Sequence, residues 1–444
     1  MTDKKPQFKS RSLGIVSLVV LFIASLGAPA AQAQTRLIVR DSLGIGGLNL
    51  TCLLTGCKVV GSLGDPKGQL FLVTLPKALN PITSLLRLNL QTGILSVEID
   101  QLAKTQEPDA NATPFYLTDE RPVSYYGTSV WNGYVTQPAS QLIHNDLMHH
   151  TFNAAGSGVI VAVIDTGVDP NHPVLKAVLY KGYDFTRNTT GGSENVDVKT
   201  GTPDNSGAQT ALVNQRTVAV LDQRTVAVLD GNSQYSAFGH GTMTAGLVHL
   251  VAPQAKIMPL KAFSAAGTGY DSDILRAIYY AVANGATVMN MSFDFSDYSP
   301  ELATAIKYAN SKGVVTVASA GNDGKRTVVY PGGLPGVIDV ASTSNEDIQS
   351  NFTNYGAPPV WLAAPGEGVV TTYPWGTYAA GWGTSFSTPL VAGTAAVMMG
   401  TNGGCSKSGS VPLGLAAADN IGNFDMGFGR LDGYRAVLAC RILP

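Results

Sequence analysis

The run Val-Ile-Val-Ala-Val-Ile-Asp-Thr-Gly, residues 159–167, decides the fold of this chain. A continuous apolar run that ends at Asp165 is typical of a strand buried on both faces of a parallel sheet. Outward from this run, strand and helix patterns alternate. Further strands are predicted over residues 256–263, 287–292, 313–319 and 337–341, and helices over 241–251, 271–283, 301–310 and 385–399. The alternation predicts an α/β fold with a doubly wound, mostly parallel sheet and helices on both faces, in which active sites lie at the carboxyl ends of strands.

Three residues at predicted strand ends or helix starts are suited to acyl transfer. Asp165 ends the first strand, His240 opens a helix between two glycines, and Ser385 opens another helix in Gly-Thr-Ser-Phe-Ser-Thr-Pro, residues 383–389. A serine hydroxyl is a weak nucleophile until a base takes its proton, and an imidazole base needs an acceptor that fixes its tautomer. Alone, Asp165 fits a strand-end turn and Ser385 fits a helix N-cap. Their occurrence together, in the order Asp, His, Ser, predicts a catalytic triad.

These motifs resemble those of the subtilisin-like serine peptidases, or subtilases, and the resemblance covers roughly residues 131–437. It implies that Asp165 orients His240, that His240 is the general base and that Ser385 is the nucleophile. The implied activity is that of an endopeptidase which hydrolyses peptide bonds through an acyl-enzyme. A catalytically inactive binding protein that kept the fold is the alternative.

A fourth motif, Ala-Gly-Asn-Asp-Gly at residues 320–324, resembles the oxyanion-hole loop of the same family. The resemblance implies that the side-chain amide of Asn322 and the backbone N–H of Ser385 bind the developing oxyanion. It also implies that no cofactor is required for the chemistry. No residue spacing is typical of a zinc site, so we predict no metal in catalysis. Structural calcium, which many subtilases bind through loop oxygens, is left open.

The substrate contacts follow from the same resemblance, since an extended peptide pairs with edge segments beside the subtilase cleft. Ser292, Phe293 and Asp294 are expected to form one such edge, with Gly321 beside them. The family commonly has Ser-Leu-Gly-Gly at this segment, so Asp294 and Phe295 depart from the pattern. The width and polarity of the pocket are therefore not predicted.

The first 33 residues are predicted to be a signal peptide. Basic residues precede an uncharged apolar stretch over residues 13–26, and Ala-Gln-Ala at residues 31–33 offers small residues for cleavage after Ala33. An uncleaved membrane anchor is the alternative. We expect a protein secreted to the extracellular space or a periplasm, with no membrane contact after the signal is removed.

Residues 34–110 are expected to form a small α+β domain followed by a linker. Apolar runs at residues 37–39, 69–73 and 94–98 predict strands, and residues 79–88 predict a helix. Residues 85–100 resemble the inhibitor-type propeptide of the subtilases, which implies that the chain is a zymogen whose catalytic domain is the partner of its own propeptide. An accessory binding domain that stays attached is the alternative. Residues 111–444 are then the peptidase domain.

Four cysteines in an exported chain predict two disulfides. Three connectivities exist, and we favour Cys52 with Cys57 and Cys405 with Cys440, because each pair then lies within one predicted domain.

The charge pattern excludes some partners. The chain has 29 basic and 31 acidic residues without a dense basic run, so it lacks the electrostatic footprint of a nucleic-acid or anionic-membrane protein. We expect a monomer that acts on protein or peptide substrates. The octapeptide Gln-Arg-Thr-Val-Ala-Val-Leu-Asp at residues 215–222 recurs at 223–230, and it is interpreted as a duplication inside a loop or hairpin with no assigned function.

Overall fold

A computed structural model describes residues 35–76, 79–104, 114–198 and 235–442. The predicted signal peptide, nearly all of the predicted linker and the duplicated octapeptide lie outside these residues. Among the described residues, none of the helices combines the length and the apolar composition that a membrane span requires.

The N-terminal part is an antiparallel sheet covered on one face by two helices. Its strands are β1 (Arg36–Asp41), β2 (Lys58–Ser62), β3 (Leu70–Thr74) and β4 (Ile94–Ile99), in the order β2-β3-β1-β4, and its helices are α1 (Gly44–Thr55) and α2 (Pro81–Asn89). Leu37 and Val39 pack with Leu48 and Leu88 in the core under the helices. The alternate residue Ile38 points to the other face and joins a core of the main domain.

Strand β5 (Leu102–Lys104) follows β4 as the tail of the N-terminal part, and the main domain contains the rest of the described chain. The strands of the main domain are β6 (Pro122–Tyr125), β7 (Thr128–Trp131), β8 (Ile160–Asp165), β9 (Tyr183–Asp184), β10 (Thr189–Thr190), β11 (Lys256–Lys261), β12 (Thr268–Tyr270), β13 (Val288–Met291), β14 (Val315–Ser319), β15 (Val337–Thr343), β16 (Leu362–Pro365), β17 (Val369–Tyr373) and β18 (Thr377–Gly381). Its α-helices are α3 (Asn132–Thr136), α4 (Pro138–Leu142), α5 (Asn145–Phe152), α6 (His240–Val251), α7 (Asp271–Ala283), α8 (Pro300–Ser311), α9 (Thr384–Met399), α10 (Val411–Leu415) and α11 (Gly433–Ile442).

The central sheet has the order β10-β9-β11-β8-β13-β14-β15-β16. Its strands pair in parallel except for β9 with β10, which pair antiparallel. Both faces are covered, because Val161 and Val163 of β8 join the core that contains α6 and α9, while Ala162 and Ile164 join the core that contains α7 and α8. The predicted doubly wound α/β fold is confirmed.

Strand β8 lies at the point of the sheet where successive strands of the chain change from one side to the other. Its neighbours are β11 on one side and β13 on the other, so the chain adds strands first to one edge and then to the opposite one. Ligands of open α/β sheets bind at such a switch point, outside the carboxyl ends of the strands. Asp165, the last residue of β8, stands at this point.

The described cysteines form two disulfides, Cys52 with Cys57 and Cys405 with Cys440. This is the connectivity that the sequence analysis favours. The first disulfide joins the end of α1 to the segment before β2, and the second joins the chain after α9 to α11.

The two adjacent histidines of α5 differ in exposure. His149 is buried, and its Nε2 lies 2.7 Å from the backbone carbonyl oxygen of Val251. Only His150 is solvent-exposed, beside Asp146 one turn earlier in α5. Burial lowers the pKa of His149, so its role is structural.

Candidate active site

Asp165 and His240 form the centre of the site. His240 is the first residue of α6, and its Nδ1 lies 2.7 Å from Asp165 Oδ1. Their side chains are only 3% and 2% exposed. The carboxylate also accepts hydrogen bonds from the backbone N–H of Thr166 and from the Thr244 hydroxyl, at 2.6 and 3.1 Å. An acceptor at Nδ1 places the ring proton there, which leaves Nε2 as the basic nitrogen of the imidazole.

The glycines on either side of His240 allow α6 to begin close to the Asp165 strand end. Gly239 has φ 91°, a conformation that favours glycine, and any side chain there would collide with the ring of Tyr373. A side chain at Gly241 would collide with the backbone of Gly167. The Gly-His-Gly sequence is therefore a requirement of close backbone packing.

Ser385 is far from Asp165 and His240 in the sequence but lies close to His240 in the fold. It is the second residue of α9, which packs against α6, and the Phe386 ring centroid lies 5.8 Å from that of His240. The Ser385 hydroxyl donates to the backbone carbonyl of Ser292 at 3.3 Å, and the Ser292 hydroxyl donates to the carbonyl of Ser385 at 3.0 Å. The predicted nucleophile is thus held against the end of β13.

Asn322 follows β14 in the chain and contacts the residue before Ser385. Its Oδ1 accepts hydrogen bonds from the backbone N–H and the hydroxyl of Thr384, both at 2.9 Å. These two donors fix the carbonyl end of the side chain, so the Nδ2 amino group is directed away from Thr384.

Glu194 is a buried carboxyl group that the sequence analysis did not predict. It connects residues next to Asp165 with residues next to His240. Glu194 accepts hydrogen bonds from the Thr166 hydroxyl at 3.1 Å, from the Gly239 backbone N–H at 2.8 Å and from the Thr242 hydroxyl. Burial raises the pKa of Glu194 to about 8. It lies in a polar loop without a local motif, so only its distant partners reveal its role.

Lys261 supports the other side of Asp165. It ends β11, where it pairs in register with Asp165, and its side chain is fully buried. Its ammonium group donates to the carbonyls of Thr166 and Phe263 at 2.7 and 2.6 Å and to the carboxylate of Asp197 at 2.7 Å. No sequence pattern indicated this second anchor.

Two backbone segments border the cleft. The predicted edge at Ser292–Asp294 continues to Phe295, whose backbone pairs with Tyr330. The second edge is β12, which the sequence analysis did not predict, and it pairs antiparallel with β5. Ala103 of β5 and Phe293 belong to the same buried apolar cluster. The N-terminal tail is therefore added to β12 as an antiparallel strand.

Gly321 belongs to the loop of residues 320–324 and lies near the first of these edges. Its φ is 91°, and a Cβ there would lie 3.3 Å from the Asp294 carboxylate. Gly321 and Asp294 are thus neighbours.

Among the described residues, one group has ligand atoms close enough to hold a metal, namely His144, Asp419 and Asp432. Asp419 is already paired with Arg430 and Arg435, at 2.8 and 2.7 Å. Because these guanidinium groups supply the positive charge, the group does not fit a calcium site.

Comparison with known proteins agrees with this geometry. The model of the subtilase family matches residues 156–413. Thermitase of Thermoactinomyces vulgaris is 33% identical over 300 residues, which are 64% of this chain and 90% of thermitase. Subtilisin Savinase of Lederbergia lenta is 33% identical over 253 residues, or 57% of this chain and 80% of that protein. M-protease of Shouchella clausii is 32% identical over 314 residues, 70% of each chain. The chain therefore belongs to the subtilase family and is a serine-type peptidase.

Proposed function

We propose that the chain is a secreted serine endopeptidase, made as a self-processing precursor, in which Asp165, His240 and Ser385 are the catalytic triad. The observation that carries the proposal is the buried 2.7 Å contact between His240 and Asp165, beside the helix start that bears Ser385. A non-catalytic binding protein with this fold would need neither the imidazole nor its buried carboxylate partner.

The first half of the reaction forms an acyl-enzyme. The Ser385 hydroxyl attacks the scissile carbonyl carbon while His240 Nε2 takes its proton, and Asp165 stabilises the imidazolium that results. Negative charge then develops on the carbonyl oxygen, where the Asn322 amide and the Ser385 backbone N–H donate to it. His240 gives its proton to the leaving amine, and the C–N bond breaks.

The second half releases the acid product. Water enters in place of the amine, His240 takes a proton from it, and the hydroxide adds to the acyl carbon. The tetrahedral intermediate collapses, His240 returns the proton to Ser385, and the carboxylic acid leaves. Each proton passes through the same imidazole nitrogen, which is why the fixed tautomer of His240 matters in both halves.

We propose that the N-terminal domain is an inhibitory propeptide, and its contacts with two helices of the main domain support this role. Asp100 accepts hydrogen bonds from the backbone N–H and the hydroxyl of Ser272, at 2.8 and 2.9 Å, in the first turn of α7. Glu98 accepts from the hydroxyl of Ser299, the N-cap of α8, at 2.8 Å. A carboxylate at a helix N-terminus, such as that of Asp100, is favourable because the helix dipole is positive there.

The tail of the same domain supports inhibition. Strand β5 pairs with β12 over residues 102–104, and the Asp271 N–H donates to the carbonyl of Gln101 at 2.9 Å. An extended substrate would use the same edge by strand addition. A domain that occupies this edge blocks substrate until the connection is cut and the domain leaves.

A fluorophosphonate probe tests the catalytic proposal, because it labels only an activated serine. We expect the wild-type protein to be labelled and cut near residues 104–116, and Ser385→Ala to remain an unlabelled full-length precursor. Ser406→Ala, at an exposed serine, is the matched control and should behave as wild type. Correctly processed wild-type protein that takes no label would favour the binding-protein alternative.

A further inference from the structure

The carboxyl group of Glu194 lies between the end of β8 and the start of α6. Its Oε2 accepts hydrogen bonds from the Thr166 hydroxyl at 3.1 Å and from the Gly239 backbone N–H at 2.8 Å, and its Oε1 accepts from the Thr242 hydroxyl. Thr166 is the residue after β8, and Gly239 and Thr242 flank His240 at the start of α6. One fully buried side chain therefore joins the two elements.

The directions of these hydrogen bonds favour an ionised acceptor. The Thr166 hydroxyl oxygen accepts from the Gly241 N–H at 2.9 Å, and the Thr242 hydroxyl oxygen accepts from the Asp169 N–H at 2.8 Å. Each hydroxyl is thus already an acceptor, and its own hydrogen is directed at Glu194. A carboxylate only accepts hydrogen bonds, whereas a protonated carboxyl group must also donate one. Protonation of Glu194 would therefore reverse or break one of its three contacts.

The loop that bears Glu194 is itself fixed to the segment after β8. The backbone N–H of Val168 donates to the carbonyl of Gly192 at 2.9 Å. Gly167 has φ 99°, and a Cβ there would lie 2.8 Å from the backbone nitrogen of Glu194. The two backbones are in contact at this point, so the Glu194 side chain extends from a fixed base.

Titratable groups of several elements surround Glu194. Asp165 ends β8, Lys261 ends β11 and Tyr373 ends β17, and all three interact electrostatically with Glu194. On α6, the titratable residue between its donors is His240, which is paired with Asp165. Burial is the main cause that raises the pKa of Glu194 to about 8; its hydrogen bonds and the charge of Lys261 oppose this rise, and the charge of Asp165 adds to it.

We propose that Glu194 is a positioning residue for the general base, because its ionised carboxylate holds the start of α6, and with it His240, against Asp165. The inference rests on the proposed function, since it assigns a further residue to the same reaction. Glu194 acts through the α6 backbone and two threonine hydroxyls, so its protonation slows proton transfer from Ser385 to His240. The edges proposed to bind substrate belong to other elements and are unaffected.

The first test replaces Glu194 by glutamine, which keeps the shape but offers a single acceptor oxygen. In the processed enzyme, we expect kcat per fluorophosphonate-labelled site to fall by about tenfold to hundredfold, with KM within about twofold of wild type. The wild-type kcat should rise with pH through about 8, the pKa of Glu194, and this step should be missing in Glu194→Gln. Glu346→Gln, at an exposed glutamate, is the matched control and should keep the wild-type values.

Two variants of Thr242 separate the hydrogen bond from packing. Thr242→Ser keeps the hydroxyl that donates to Glu194 and loses a buried methyl group, whereas Thr242→Val keeps the volume and loses the hydroxyl. We expect kcat per labelled site to follow the hydroxyl: Thr242→Ser should retain most of it, and Thr242→Val should lose up to about tenfold. A role in packing alone predicts the opposite order.

The outcomes separate this inference from the proposed function. A labelled Glu194→Gln enzyme with the wild-type kcat and pH profile overturns the inference alone, and so does a kcat that Thr242→Val retains. If Glu194→Gln does not fold, the two Thr242 variants decide. Wild-type protein that takes no label and cleaves no peptide overturns the proposed function and the inference with it. A lower kcat at unchanged KM, without the step near pH 8, supports both.

Discussion

Two clusters of buried carboxyl groups differ in how completely their oxygens accept hydrogen bonds. In the active-site cluster, Asp165 and Glu194 each accept hydrogen bonds from three groups. In the interface cluster, formed by Glu98, Asp100, Asp271 and Glu301 where the N-terminal sheet meets α7 and α8, the pairing is incomplete. Neither carboxylate oxygen of Asp271 and only one of Glu98 has a hydrogen bond of good geometry within the described residues.

The difference agrees with our proposal that the active site is permanent and the N-terminal domain releasable. Donors around Asp165 stabilise the carboxylate that the proposed triad requires. At the interface, burial raises the pKa of Glu98 to about 8 and that of Asp271 to about 7. Arg36 pairs with Asp100 and Arg40 with Glu301, and Arg40 also pairs with Asp65 outside the cluster. Burial therefore favours the protonated forms of Glu98 and Asp271, and we expect docking of the proposed propeptide to depend on pH.

The largest effect should come from an amide substitution in the active-site cluster. Asp165→Asn keeps the shape but removes the acceptor that selects the Nδ1–H tautomer of His240, so kcat should fall by about 10⁴. Steady-state kinetics on a peptide substrate measure this fall in kcat. The peptidase domain is supplied already separated from the N-terminal domain, because self-processing of the variant should also be slow. Asp271→Asn, the same change in the interface cluster, is the control and should leave kcat within about twofold. A loss below about tenfold in Asp165→Asn would contradict the role of Asp165.

The sequence predicted the buried strands well because their signal is local. Residues 159–164 were predicted as a strand, and β8 is Ile160–Asp165; α7 matches its predicted range, residues 271–283. The hairpin β17–β18 had no such signal. Thr371 and Thr372 are buried polar residues whose hydroxyls donate to the carbonyls of Met243 and Thr242, so their environment depends on α6. Tertiary contacts of this kind override local patterns.

The same distinction applies to the site. Asp165, His240 and Ser385 stand in short motifs at element ends, and the structure brings Asp165 and His240 into contact and Ser385 to the same end of the sheet. Glu194 and Lys261 have no motif, because what defines them is a set of donors and acceptors far away in the chain. Such supporting residues become visible only when the folded backbone is known.

The second prediction concerns the pH dependence of docking. The pKa of Glu98 is raised from 4.5 to about 8 in the docked state, so docking takes up a proton throughout this range. Affinity of the released domain for the mature enzyme should therefore fall as pH rises, by about tenfold per pH unit for this one group between those values, and level off above pH 8. The dependence of affinity on pH is obtained from inhibition constants of the released domain, measured between pH 5 and pH 9. The activity of the uninhibited enzyme at the same pH is the reference for each measurement. In Glu98→Gln the slope should be shallower by about one proton, and an unchanged slope would exclude Glu98 as its source.

The smallest effect should come from Asp271→Asn, which probes the other half of the interface cluster. Burial is the main cause of the raised pKa of Asp271. Asparagine is neutral at every pH, so it removes the cost of keeping a carboxyl group protonated against the docked sheet. Because Asp271 belongs to α7 and stays partly enclosed after the domain leaves, its pKa changes less on docking than that of Glu98, which is exposed when the domain is free.

We expect the inhibition constant of the released domain against the Asp271→Asn enzyme to decrease by less than about tenfold at pH 8 and to be unchanged at pH 5. Weaker inhibition at pH 8 would mean that the Asp271 carboxylate stabilises the interface, and the contrast between the two clusters would then fail at this residue.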